Sequence, residues 1–278
     1  SFWNLPMLIL RSEEKAIPFI FFSLINVTVT MVLNIYFVVY NGNGVEGVFK
    51  ANIFASGLVS VLSIPIVIRI IRFKLFDRKI FFKILNFSIP FLPAGIFTMI
   101  MELSDRYIIE WLLGTPEVGL YSAGKKMGML GLTAVMGFNM GWTPYFLKRG
   151  KIDNAKDEFK TITTIFLGLI GFICFLVSLW ISEIIRIPIF GTTLIGEEFW
   201  GCEPIVTLIL IGYFFFGTYV IQLPGIYIKE KTKWIPVFRA IGAFVLILSS
   251  LIFIPIFGII GAAYSVVIAF FSMSLAIY

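Results

Sequence analysis

The chain has 278 residues, 59% hydrophobic and only 14% charged, with a formal net charge of +6. A soluble domain of this length needs far more charge on its surface, so the composition places the chain in a membrane. With no histidine and only two cysteines, it has no basis for His-based zinc sites, Ser–His–Asp triads, imidazole proton relays or a disulfide framework.

In chain order, Ser1–Leu10 reads as the tail of a helix, closed by the charged turn Arg11–Lys15. Apolar runs long enough to span a bilayer follow at about 16–40, 50–71, 84–113, 116–146, 161–185, 200–227, 235–256 and 259–278. The prediction is an all-α, polytopic membrane protein with about eight transmembrane helices. The connections are short and many carry Gly or Pro, so successive helices should be antiparallel neighbours without an extramembrane domain. The absence of an initiating Met and a final apolar run still open at Tyr278 predict a piece of a longer protein.

Lys and Arg fall on one set of alternate connections. Residues 11–15, 69–83, 148–160 and 229–233 hold sixteen of them, whereas 41–49, 113–116, 186–199 and 256–258 hold only Arg186. The asymmetry assigns the basic connections to the cytoplasm. Most of the positive charge then serves topology and contact with anionic membrane lipid, and nucleic acid need not be invoked. Five cations lie outside this pattern: Lys50, Arg106, Lys125, Lys126 and Arg239.

Three of these five belong to the stretch Phe87–Lys126, which reads as an apolar helix, a tight turn at Gly114 and Thr115, and a second helix. Counting outward from the turn at ~1.5 Å per residue brings Glu102, Asp105, Arg106, Lys125 and Lys126 to about one depth, near the middle of a ~30 Å hydrocarbon layer. Each would cost ~2.5–3.5 kcal/mol or more against lipid, so they should face a protein interior or a hydrated cavity. Glu102 and Arg106 are spaced for an intrahelical pair, and Asp105 has Lys125 or Lys126 as a partner, which leaves one lysine without an acid.

Pro90 and Pro93 should kink the long helix 84–113. Six glycines from Gly119 to Gly141 predict close packing of the helix that carries them. The basic 148–160 segment reads as an amphipathic surface anchor, and Cys174 and Cys202 as buried thiols. A weak repeat lays residues 5–19 over 223–237 and G-V-E-G-V at 44–48 over G-I-I-G-A at 258–262. Six intervening helices would preserve orientation, predicting a parallel duplication with Gly44 and Gly258 at equivalent tight turns.

The order P-F-L-P, D-R-Y-I-I, G-L-Y-S-A-G-K-K, with the early L-R-S-E-E-K turn and the late I-P-I-F-G-I-I-G-A-A-Y-S run, resembles bacterial oligosaccharide flippases. These form the polysaccharide-transporter branch of the multidrug/oligosaccharidyl-lipid/polysaccharide exporter superfamily. The resemblance implies a two-lobe MATE-like fold of twelve to fourteen helices. Residues 1–72 would end the first lobe, 73–83 form a cytoplasmic linker, and 84–278 lie in the second lobe. It further implies a protein of the bacterial inner membrane that is not an enzyme. Such a protein would move undecaprenyl-pyrophosphate-linked oligosaccharide by alternating access, alongside other surface-polysaccharide assembly proteins, with no cofactor beyond a coupling Na+ or H+.

A pyrophosphate dragged through hydrocarbon needs a hydrated cationic path. Arg106, Lys125 and Lys126 would supply it between the lobes, with Lys50 and Arg239 extending it toward the two faces. Asp105 and Glu102 would serve as charge-pairing or coupling groups. The rivals are a drug or cation antiporter of the same superfamily and a polytopic enzyme acting on lipid-linked sugars.

Overall fold

The computed structural model describes residues 4–13, 15–70, 77–150, 155–189 and 192–278. The described helices are α1 (Asn4–Ser12), α2 (Ala16–Asn34), α3 (Gly44–Ile70), α4 (Arg78–Ser88), α5 (Phe91–Leu113), α6 (Thr115–Arg149) and α7 (Ala155–Leu179). They continue with α8 (Ile181–Ile185), α9 (Glu203–Gln222), α10 (Pro224–Ile228), α11 (Trp234–Phe257) and α12 (Ile259–Ile277). A π-helical turn, Ile35–Tyr40, extends α2, and a 3-10 helix, Glu197–Cys202, leads into α9. The all-α expectation needs one small addition, a two-residue antiparallel pair of β1 (Pro188–Ile189) with β2 (Thr192–Thr193).

Among the described residues, seven segments are long and apolar enough to cross a membrane: Ala16–Tyr40, Gly44–Ile66, Arg78–Leu113, Ala155–Leu179, Glu197–Ile228, Trp234–Phe257 and Ile259–Ile277. The eighth expected span, 116–146, is helix α6. Its 35 residues are ample in length. Six glycines and the mid-helix Lys125–Lys126 pair dilute its apolar character. One correction concerns Pro90 and Pro93, which interrupt the 84–113 run instead of bending one continuous helix. The 84–113 run is two helices, with α4 ending at Ser88 and α5 starting at Phe91. Pro90 cannot donate to the ladder, and Pro93 sits in the first turn of α5, where an N–H has no intrahelical partner anyway.

The chain divides into two compact units, Ser1–Phe81 and Phe82–Tyr278. Residues 73–76 of the expected linker, and 151–154 of the expected 148–160 anchor, lie outside the described residues. In the first unit α2 packs on α3, burying Ala51, Ala55 and Val59 completely. In the second, α5, α6, α9, α12 and α11 pack in succession, and α11 returns to α5, so the five helices close a ring. Helix α7 buttresses α9 from outside that ring. The small residues of α6 explain its seat on α9: a Cβ at Gly128 would come within 2.4 Å of Ile209, and one at Gly124 within 2.9 Å of Ile205.

The two junctions aligned by the repeat share local geometry. Gly44 at the α2–α3 turn has φ 50° and Gly258 at the α11–α12 turn has φ 60°, a backbone region that suits only glycine comfortably. Three residues later, a Cβ at Gly47 would meet the Phe37 backbone at 3.0 Å, and one at Gly261 would meet the Phe253 backbone at 2.2 Å. Both turns therefore let the second helix lie tightly against the end of the first.

Candidate functional site

Helical spacing puts Thr98, Met101, Glu102 and Asp105 on one face of α5, and Tyr121, Lys125, Leu132 and Met136 on one face of α6. Where these faces meet, Asp105 is fully buried and Lys125 only 5% exposed. They form a direct ion pair through Lys125 Nζ and Asp105 Oδ2. Tyr121 Oη donates to the same oxygen at 2.6 Å, and the Arg106 backbone N–H donates to Asp105 Oδ1 at 2.8 Å. Lys125 Nζ also donates to the Glu102 carbonyl at 3.1 Å. The carboxylate thus receives three donors, and the ammonium charge is cancelled at its own depth. That satisfies the requirement for keeping ions in a low-dielectric interior.

Inside the ring lies a cavity of about 240 Å³ whose lining comes entirely from the second unit. Its polar wall consists of Thr98 and Glu102 from α5, Lys125 from α6, Tyr213 from α9 and Arg239 from α11; methionine, phenylalanine and aliphatic side chains make up the rest. Arg239 is half-buried and tied to α5, donating through one terminal nitrogen to Thr98 Oγ1 and, at 3.4 Å, to the Ala94 carbonyl. The same guanidinium also lies beside the buried Tyr219 on α9. The Glu102 carboxylate is exposed and, among the described residues, has no cation within ion-pair distance.

The structure distributes the sequence-predicted residues unevenly. Lys125, Arg239 and Glu102 line one cavity, with Asp105 behind Lys125, whereas Arg106 and Lys126 are not in its lining. One residue of helix rotates a side chain by ~100°, which is why Lys126 is exposed while Lys125 is buried. Arg106 is half-buried, its Nε is buried without a partner, and it does not form the expected pair with Glu102. Lys50 belongs to the first unit and pairs with Glu46 at 2.9 Å. Thr98, Tyr121 and Tyr213 were not singled out from the sequence. Thr98 was signalled only by lying one turn from Glu102, and Tyr121 by lying one turn from Lys125.

Residues 7–149, just over half of the chain, match the family model described as "Polysaccharide biosynthesis protein". The chain belongs to that family. No curated protein matches the sequence. Among solved structures, a Vibrio cholerae MATE transporter superposes with a TM-score of 0.77 at 16% identity, over 99% of this chain and 65% of its own. An outward-facing multidrug resistance MATE family transporter of the MOP superfamily gives 0.78 at 14% identity, over 98% of this chain and 63% of its own. At such identities the likeness establishes the fold, and this member of the polysaccharide biosynthesis family is a multi-pass membrane protein with the MATE architecture. The chain spans less than two thirds of the length of these solved structures. Within that architecture, the chain carries a cavity with one partly tied guanidinium, one cancelled ammonium and one carboxylate without a cation partner among the described residues.

Proposed function

We propose that the chain is part of a transporter that flips undecaprenyl-pyrophosphate-linked oligosaccharide repeat units across the bacterial inner membrane by alternating access, for surface polysaccharide synthesis. The observation that carries this reading is the family match over 7–149. The cavity supports it chemically. A pyrophosphate diester carries close to two negative charges, and the Arg239 fork can bind phosphate oxygens. Lys125 contributes less than its formal charge suggests, because Asp105 neutralises it. Anionic lipid would contact the basic cytoplasmic connections, and other assembly proteins would supply and consume the lipid-linked sugar.

A second reading, drug or cation antiport, is favoured by the free Glu102 carboxylate in a cavity rich in methionine and phenylalanine. Deleting the gene in its native host separates the two. A flippase loss traps lipid-linked oligosaccharide in the cytoplasmic leaflet, whereas an antiporter loss changes drug tolerance and leaves that pool unaltered.

A further inference from the structure

Glu102 and Arg239 are opposite charges lining one small cavity, and they do not pair. Each potential shortcut between them is occupied. Thr98 and the Ala94 carbonyl hold one terminal nitrogen of Arg239 on the α5 wall, and Asp105 holds Lys125, the other cation that could have neutralised Glu102. What remains is a partly tied guanidinium on one wall and a carboxylate able only to accept on another. Ionic groups within membrane-spanning helices need partners, so the matching ligand presents an anion beside a set of hydroxyl or amide donors. A simple cation satisfies Glu102 but is repelled by Arg239, and a bare phosphate satisfies Arg239 but is repelled by Glu102. A phosphate joined to a sugar ring satisfies both.

We infer that this cavity is a subsite for the sugar–phosphate junction of the transported lipid. Arg239 takes phosphate oxygens, and Glu102 accepts hydrogen bonds from hydroxyl or N-acetyl donors of the first sugar. Phe216 and Phe270, whose ring centroids lie 5.2 Å apart, offer the apolar wall for the sugar's C–H face. The volume of about 240 Å³ is below the ~300–1,000 Å³ typical of sites for drug-sized ligands. It fits a phosphate and one ring, leaving the isoprenoid tail and the outer sugars elsewhere. Glu102 then reads the first sugar instead of pairing a helix neighbour or carrying a coupling ion. The inference rests on the flippase reading.

The test compares two soluble pyrophosphate diesters of equal charge on the full-length protein in nanodiscs: farnesyl pyrophosphoryl N-acetylglucosamine and farnesyl methyl pyrophosphate. The native protein should bind the sugar-bearing probe roughly 10–100-fold more tightly, the range of hydrogen bonds to a charged group. Glu102→Gln, nearly isosteric at an exposed position, should erase that preference and, by removing the carboxylate's repulsion, bind the sugarless probe at least as tightly as the native protein does. Arg239→Gln should weaken both. Equal binding of the two probes by the native protein, or a sugar preference that survives Glu102→Gln, overturns the subsite while leaving the flippase reading intact. Failure of both probes to bind, with Glu102-dependent binding of ethidium, overturns the flippase reading itself and the subsite with it.

Discussion

Asp105 and Lys125, twenty residues apart on adjacent helices, bury an ion pair that leaves Glu102 and Arg239 as the uncancelled charges of the cavity they line. Breaking that pair from one side strands a buried charge, at a cost of ~3–5 kcal/mol. Lys125→Met and Asp105→Leu should each lower the thermal stability and the cellular abundance of the protein. The double variant should recover most of the loss, because replacing both ions with apolar groups removes the desolvation cost. Stability unchanged in Lys125→Met would contradict the geometry.

The tight seat of α6 on α9 gives a second expectation. Gly128→Ala places a methyl 2.4 Å from Ile209 Cγ2 and 2.8 Å from its Cβ, an overpacking that costs ~1–3 kcal/mol. Ile209→Ala removes the nearer atom but not the Cβ, so it should rescue Gly128→Ala only in part. Thermal unfolding of the purified protein reads the four members of the cycle, and additive losses would argue that the two positions do not touch.

Much of this arrangement was legible in the sequence, and the limits are instructive. Asp105 and Lys125 flank the tight turn at Gly114, so counting along two antiparallel helices was enough to bring them to one depth. Arg239 meets Thr98 from 141 residues away. That contact depends on α11 closing the ring against α5, which no local periodicity encodes. The sequence treated Lys125 and Lys126 alike because composition is blind to the ~100° between neighbouring helical side chains. The break at Pro90 was readable in principle, since an apolar run says nothing of continuity while a proline does. Helix α6 was read as a span on length and average polarity. Of the glycines expected to pack closely, Gly124, Gly128 and Gly131 do so against α9.

Orientation rests on the lopsided distribution of Lys and Arg and is open to a direct check. In a variant lacking Cys174 and Cys202, a cysteine replacing Glu198 should react with a membrane-impermeant maleimide added outside intact cells. One replacing Lys231 should react only after permeabilisation. Both positions are exposed, so accessibility within the fold does not limit either reaction. The reverse pattern would invert the topology.

Arg239 separates geometry from charge. Arg239→Lys keeps a cation but loses the planar fork that holds Thr98 while presenting further N–H groups to the cavity. Transport should fall by roughly tenfold or more, the equivalent of one charge-assisted hydrogen bond, with protein abundance unchanged. Lys126→Gln, at an exposed position outside the cavity lining, should have a much smaller effect. Equal losses in the two variants would indicate that general positive charge, not the fork, is what the substrate meets.

The central claim is tested most directly by leaflet-resolved flipping in proteoliposomes containing the full-length protein and an undecaprenyl-pyrophosphate-linked oligosaccharide. Its arrival on the opposite leaflet is followed by access to an added impermeant glycosidase. The account predicts rapid movement with the native protein and severe loss with Arg239→Gln at equal reconstitution. No movement by the native protein, in vesicles that transport an organic cation under an ion gradient, would contradict it.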